Sequence, residues 1–230
     1  MLRFLRRLAD NRRPDSLANR YRQRRFDRFR EFVADMPHPI RVLDIGGRPD
    51  YWRQMGAATS GEFDLTLINV EPAVEDITDD GMRLLEGDAR DLAGIGDDAY
   101  DVAFSNSVIE HVGDIDDMAR MAAEVRRVAG RYFVQTPCRT FPIEPHFQLP
   151  FFALLPERTR AWLTQHFKVG LTGWKSPDRA SALARVRRTR LLTRRQFTSL
   201  FPEGDLQRER AFGLTKSWMM LGRSPHRPSR

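Results

Sequence analysis

Cysteine, paired metal-binding histidines and long apolar runs are all missing or scarce in this sequence. Its one cysteine, Cys138, cannot form an internal disulfide or a cysteine metal cluster, which fits a reducing, cytoplasmic setting. No run of about 18 apolar residues occurs, so no membrane-spanning segment is expected, and the arginine-rich start is a poor secretory signal. The five histidines lack the spacing of a helical zinc site, so no metal is assigned.

Positive charge is abundant but uneven. The net charge is +7, yet residues 1–30 carry about +8, residues 179–230 about +10 and the middle about −11. Such basic ends attract nucleic acid, an anionic membrane or a phosphorylated substrate, or they are simply solvated faces. Within residues 1–13, leucines alternate with arginines as in a basic amphipathic helix, which predicts peripheral contact with an anionic membrane.

Short apolar runs alternate with segments of helical periodicity. The helices are predicted over 16–36, 114–129 (closed by Gly130), 181–192 and 193–200. The strands are predicted at 40–45, 65–70, 100–105, 131–135 and 213–221, with a weak apolar pair at 84–85. This order predicts an α/β fold with a mostly parallel sheet, one late antiparallel strand and helices on both faces.

Several segments resemble, in order, the motifs of class I S-adenosylmethionine-dependent methyltransferases, in particular the type 11-like enzymes that act on small molecules. The matching segments span residues 40–137: Val42-Leu43-Asp44-Ile45-Gly46-Gly47, Asp64 to Pro72, Glu86 to Leu92, Tyr100 to Val112 and Tyr132 to Pro137. The resemblance implies a Rossmann-like sheet and S-adenosylmethionine as cofactor. It divides the chain into a basic helical segment (1–36), a cofactor-binding domain (37–222) with a lid-like insertion (138–180), and a disordered tail (223–230).

The same resemblance implies the cofactor-binding residues. They are Asp44, Ile45, Gly46 and Gly47 in the turn after the first strand, Glu71 at the ribose, Asp88 and Ala89 at the adenine, and Asn106 after the fourth strand. Two positions depart from the family pattern. Arg48 stands where a second glycine is common, and Asn69 aligns with the usual ribose acid. Glu71 is preferred because a carboxylate accepts hydrogen bonds from both ribose hydroxyls, and Asn69 is the alternative. Tyr51 and Trp52 line the sulfonium end or pack the following helix.

Methyl transfer to a hydroxyl profits from a general base, and two histidines are candidates. His111 follows the fourth strand, and His146 lies in the proline- and aromatic-rich stretch after the fifth, with Glu144 nearby to orient it. Either histidine is alternatively structural. The expected function is methyl transfer to a small-molecule, lipid or saccharide acceptor.

Three other functions stay open. A nucleic-acid (RNA) methyltransferase suits the basic ends, but the chain lacks an Asn/Asp-Pro-Pro-Tyr-type motif. A nicotinamide-dependent oxidoreductase would need the G-x-G-x-x-G fingerprint, which Gly46-Gly47-Arg48 does not provide. A non-catalytic binding module could retain the fold.

Overall fold

A computed structural model describes residues 16–71, 77–170 and 173–224. The helices of this part of the chain are α1 (Leu17–Val33), α2 (Pro49–Gln54), α3 (Ile115–Val128), α4 (Glu157–His166), α5 (Arg179–Arg187) and α6 (Arg194–Leu200), with 3-10 turns at Ile109–His111 and Phe152–Leu154. The strands are β1 (Ile40–Ile45), β2 (Phe63–Asn69), β3 (Arg83–Glu86), β4 (Tyr100–Asn106), β5 (Ala129–Pro137), β6 (Asp205–Ala211) and β7 (Leu214–Arg223). Among the described residues, no helix is both long and apolar enough to cross a membrane.

The strands form one sheet in the order β3-β2-β1-β4-β5-β7-β6. Strands β1 to β5 are parallel, and β7 runs antiparallel to both of its neighbours. The prediction of a mostly parallel sheet with one late antiparallel strand is therefore confirmed. Because the parallel strands end at one edge, their carboxyl ends and the loops that follow meet there, where open α/β sheets bind ligands.

Alternate side chains of each central strand enter two different cores. Val42 packs with the aromatic residues of α1 and α2, whereas Leu43 packs with α3 and α6. The first core is largely aromatic and includes Phe26, Phe29 and Trp52. The helices on both faces thereby fix the strand ends relative to one another, as rigid support for a site at the edge.

Helix α1 is part of this core. Ser16 caps it by accepting a hydrogen bond from the Asn19 backbone N–H (3.0 Å), and Phe26, Phe29 and Val33 are buried beneath it. The helix was expected over 16–36 and is found over 17–33. The amphipathic segment 1–13 and all but the first two residues of the tail lie outside the described residues. The membrane contact and the domain boundaries stay predictions.

Three elements differ from the sequence-based expectation. Gly130 does not close α3 but lies inside β5, which starts directly after Val128. Helix α5 ends at Arg187 rather than at 192, and β6 was not predicted. The stretch after β5 forms a loop, a 3-10 turn and α4, which pack against α5 around a third small core that contains Phe147, Phe152 and Val186.

Candidate active site

The turn after β1 has room only for glycine at two successive positions. Gly46 has φ +76°, its N–H donates to the Ile68 carbonyl (2.8 Å), and a Cβ there would lie 2.5 Å from the Val108 side chain. At Gly47, a Cβ would lie 1.9 Å from a carboxyl oxygen of Asp44. The backbone at Ile45, Gly46 and Gly47 therefore leaves a cradle at the strand end that a side chain would fill.

Replacing Gly46 with alanine is expected to lower both the unfolding free energy and the affinity for S-adenosylmethionine. Left-handed backbone costs about 1–2 kcal/mol for alanine, and the overlap with Val108 adds about 1–3 kcal/mol. Denaturant unfolding and calorimetry with the cofactor measure the two effects.

Gly61→Ala is the matched control, because Gly61 has φ +72° and nothing within 4 Å of its Cβ position. It should show the backbone cost alone. Adding Val108→Ala to Gly46→Ala should recover part of the loss. Equal effects of the two glycine substitutions would contradict the close approach at Gly46.

Asp44 lies directly beneath this turn. Its side chain is 2% exposed, and a carboxyl oxygen accepts a hydrogen bond from Trp52 Nε1–H (2.7 Å). Burial raises the pKa of Asp44 to about 7, and the Trp52 hydrogen bond only partly offsets this. Trp52 is fully buried and Tyr51 nearly so, which fits the packing role of these aromatic residues. Asp44 is thus a carboxylate poised to gain from a nearby cation.

The end of β2 carries the two candidates for ribose recognition. Asn69 closes the strand, and its side-chain amide donates to the Gly47 carbonyl (2.7 Å), which ties β2 to the glycine turn. Glu71 lies two residues further on, at the carboxyl edge, with an exposed side chain. Asn69 is thus engaged with the protein, whereas the Glu71 carboxylate faces outward.

Asp88 and Ala89 follow β3. Both carboxyl oxygens of Asp88 accept hydrogen bonds from the Arg90 side chain, which lowers the pKa of Asp88 and keeps it charged. Arg90 also reaches Asp117 on α3 (3.3 Å). These contacts tie the segment around Ala89 to α3.

Asn106, at the end of β4, contacts a residue that the sequence motifs did not indicate. Its side-chain oxygen accepts from Arg25 of α1 (3.1 Å), and Arg25 also pairs with Glu209 of β6 (3.4 Å). Glu209 in turn accepts from Lys216 of β7 (2.8 Å). Arg25 is one of eleven arginines in residues 1–30, so composition alone gave no signal that would single it out.

The two candidate histidines, 35 residues apart, face each other at the ends of β4 and β5. Their Nε2 atoms are 3.1 Å apart. His146 Nδ1–H donates to Glu144 (2.7 Å), and His111 Nδ1–H donates to the Arg188 carbonyl (3.0 Å). Two neutral rings held in this way would direct lone pairs at each other, so the pair requires a proton or a cation between the Nε2 atoms.

Two carboxylates favour positive charge at this pair. Burial by itself lowers the pKa of His146, but the hydrogen bond and charge of Glu144 and the charge of Glu110 outweigh it and raise the pKa above its usual value. Glu110 is fully buried, which raises its own pKa. One oxygen of Glu110 accepts from Thr136 (3.0 Å), and the other has no hydrogen-bond partner among the described residues.

Glu110, His111 and His146 also present three ligand atoms within 4.8 Å of one another, as a metal ion would need. Histidine spacing along one helix does not reveal this group, because Glu110 and His111 lie in the 3-10 turn after β4 and His146 lies in the loop after β5. The arrangement is therefore compatible with either a shared proton or a divalent cation.

The residues at this edge fit S-adenosylmethionine. A glycine cradle, a buried carboxylate beneath it and further carboxylates after β2 and β3 match a ligand with a sulfonium and an ammonium group at one end and a ribose diol and adenine at the other. The fold and this edge define a Rossmann-like methyltransferase.

A family model described as a methyltransferase domain matches residues 18–216, and the chain belongs to this family. The family model therefore gives this chain a methyltransferase domain. The curated relatives it matches are uncharacterized proteins of two Mycobacterium tuberculosis strains, each 32% identical over 83 residues. The match covers 36% of this chain and 28% of each relative.

Solved structures share the fold at low identity. A protein of Pyrococcus horikoshii (TM-score 0.52, 16% identity) is covered over 93% of its chain and 91% of ours. A Haemonchus contortus phosphoethanolamine N-methyltransferase in complex with S-adenosylmethionine (TM-score 0.51, 14% identity) is covered over 38% of its chain and 80% of ours. A Rhodobacter sphaeroides protein described as a zinc-dependent alcohol dehydrogenase (TM-score 0.52, 12% identity) is covered over 87% of its chain and 84% of ours. At such identities these likenesses concern the fold alone.

Proposed function

We propose that this enzyme methylates a hydroxyl oxygen of a small-molecule, lipid or saccharide acceptor, and that the His111–His146 pair takes up the hydroxyl proton. The contact between the two Nε2 atoms carries this proposal. Both atoms belong to segments that follow β4 and β5, at the edge of the sheet that carries the proposed cofactor residues, and Glu144 accepts a hydrogen bond from one of the rings.

The cofactor supplies a methyl group already activated by its sulfonium. The acceptor oxygen forms the new bond to the methyl carbon while the carbon–sulfur bond breaks. In the state that has lost the proton shared between the rings, the hydroxyl proton passes to Nε2 of one histidine, and Glu144 stabilises the positive charge on His146. The products are the methyl ether and S-adenosylhomocysteine. Holding the reactants in line contributes much of the rate.

The cofactor-binding roles are proposed for Asp44 at the charged end, Glu71 at the ribose, and Asp88 with the Ala89 backbone at the adenine. The glycine turn supplies backbone contact, and Asn106, held by a hydrogen bond from Arg25, lies at the end of the neighbouring strand β4. The buried position of Asp44 and the outward-facing carboxylate of Glu71 support this assignment.

Two measurements test the function. Calorimetry with S-adenosylmethionine, S-adenosylhomocysteine and NAD tests the cofactor site, and binding of the first two alone is expected. Transfer of a labelled methyl group to panels of alcohols, saccharides, amines and RNA tests the acceptor. Labelling of RNA or amines in preference to hydroxyl acceptors would overturn the proposed acceptor class.

Glu71→Gln is expected to weaken cofactor binding by about 10- to 100-fold, and Asn69→Ala is expected to weaken it less. The neutral amide loses charge-assisted hydrogen bonds to the ribose diol, whereas Asn69 contacts the protein itself. Calorimetry measures both, with Glu31→Gln on the exposed face of α1 as the control. The reverse order would assign ribose recognition to Asn69.

A metal-assisted route is the second candidate, because Glu110, His111 and His146 present a three-atom ligand set. A bound divalent cation would lower the pKa of the acceptor hydroxyl directly. Loss of activity on treatment with a chelator, followed by recovery with added metal, would favour this route over the base. Activity that is unchanged after chelation would favour the base.

A further inference from the structure

A cavity of about 390 Å³ opens beside the histidine pair. It lies between the loop after β5, α4, the segment after α5 and the start of α3. Phe147, Phe152 and Leu192 give it apolar walls, as suits an organic ligand.

Residues that contact both histidines form part of the cavity wall. Glu144, which accepts from His146, is part of its wall, and so is Thr189, whose hydroxyl lies 3.4 Å from His111 Nδ1. Arg190 also lines it and donates its backbone N–H to the Glu110 carbonyl (2.8 Å). Neither histidine lines the cavity itself, so a molecule that fills it lies against the residues that contact the Nδ1 side of both rings.

Arginines give this cavity an excess of positive charge. Four line it, against two glutamates: Arg139, Arg160, Arg187, Arg190, Glu144 and Glu157. Arg187 is paired with Glu157 (2.8 Å), and the Glu144 oxygens accept from His146 and from the Phe147 backbone N–H. Both carboxylates thus already have partners of their own.

The other three guanidinium groups have no hydrogen-bond or ion-pair partner within the described part of the chain. Arg139 and Arg190 are exposed, whereas Arg160 is half-buried and its Nε is fully buried without a hydrogen bond. Burial lowers the pKa of Arg160, and the charges of Arg139 and Arg190 lower it further, although Glu157 and Glu144 act against this. Like charges gathered at a partly desolvated cavity are costly unless an anion joins them.

We propose that this cavity is the acceptor site and that it selects an anionic acceptor, with a phosphate or carboxylate group held by Arg139, Arg160 and Arg190 and an apolar part against Phe147 and Phe152. This inference rests on the proposed function, since it places the acceptor beside the proposed base. Guanidinium groups bind both anions through charge-assisted, often bidentate hydrogen bonds.

Direct binding of simple probes tests the cavity without knowledge of the natural acceptor. The probes are 1-naphthyl phosphate, 1-naphthoate and the uncharged 1-naphthol, titrated calorimetrically into the full chain. We expect at least one anion to bind about tenfold or more tightly than 1-naphthol, and its affinity to fall as salt is added. Equal affinity for all three probes would overturn the proposal.

The variant Arg160→Gln should weaken binding of the anion by about 10- to 100-fold, the loss of a charge-assisted hydrogen bond. Arg158→Gln is the matched control, because Arg158 is an exposed arginine of the same helix that does not line the cavity. Equal effects of the two substitutions would also overturn the proposal.

Affinity for S-adenosylmethionine, measured in each variant, distinguishes a failure of the anion site from a failure of the proposed function. If the cofactor binds and the anions do not, the anion site is wrong and the methyltransferase assignment stands. If neither binds and both variants unfold like the original chain, the proposed function fails as well.

Discussion

His146→Gln is expected to lower methyl transfer to a hydroxyl acceptor by about 10²- to 10⁴-fold, while affinity for S-adenosylmethionine stays nearly unchanged. The ring of His146 faces His111 on one side and Glu144 on the other, so it is placed to take and hold a proton. Steady-state kinetics with an acceptor from the labelling panel measures the loss. His166→Gln is the control, since that exposed histidine of α4 hydrogen-bonds to the Trp162 carbonyl and stacks on the Trp162 ring.

The pH profile distinguishes a base from a structural histidine. A base works only when it is unprotonated, so the raised pKa of His146 places the rising limb of the rate at a higher pH than an ordinary histidine would. Glu144→Gln removes the negative charge that raises this pKa, and the limb should then move to lower pH. A limb that stays in place would show that His146 does not titrate in the reaction. A large loss in His111→Gln alone would give the base role to His111.

Asp44→Asn is expected to stabilise the protein without cofactor and yet to weaken cofactor binding. The unfolded chain releases this proton near pH 4, whereas the folded chain keeps it to about pH 7. The charged carboxylate therefore costs folding free energy that grows from pH 4 to 7 and is fully present above 7. Removing it should add about 2–4 kcal/mol at pH 8 and little at pH 4.

Affinity for S-adenosylmethionine should fall by about 10- to 100-fold in the same variant, because the charge proposed to face the cationic end of the cofactor is gone. Urea unfolding at pH 4 and 8 and calorimetry at pH 8 measure the two effects, and Asp50→Asn on the exposed face of α2 is the control. If Asp44→Asn loses stability at pH 8, the carboxylate is held charged by a contact other than Trp52.

The central strands were predictable because burial on both faces gives them continuous apolar runs. The predicted and observed bounds of β1 are both Ile40–Ile45, and those of β4 differ by one residue, since the strand extends to Asn106. Strand β6 escaped prediction because its sequence, DLQRERA, is charged at four of seven positions. Among the described strands it is an edge strand that pairs with β7, and only Glu209 and Ala211 of its seven side chains are buried, so it lacks a continuous apolar run.

The site was partly predictable for a similar reason. Gly46 and Gly47 lie within one short motif whose local geometry requires glycine, so the order of residues in that motif was sufficient to predict them. The contact between His111 and His146 depends on how two distant segments fold towards each other, and the periodicity of the sequence does not predict such a contact. The arginines of the cavity come from three separate segments, so only the folded chain brings Arg139, Arg160 and Arg190 together.

The bridge from Arg25 through Glu209 to Lys216 joins residues that are almost two hundred positions apart. Synthesis has to proceed as far as Lys216 before Arg25 can contact both partners while it donates to Asn106. Contacts of such long sequence separation form late because closing the loop costs entropy first. During synthesis, the aromatic face of α1 and the proposed cofactor edge therefore remain incomplete until β6 and β7 emerge, so a product truncated before β6 should be unable to capture the cofactor.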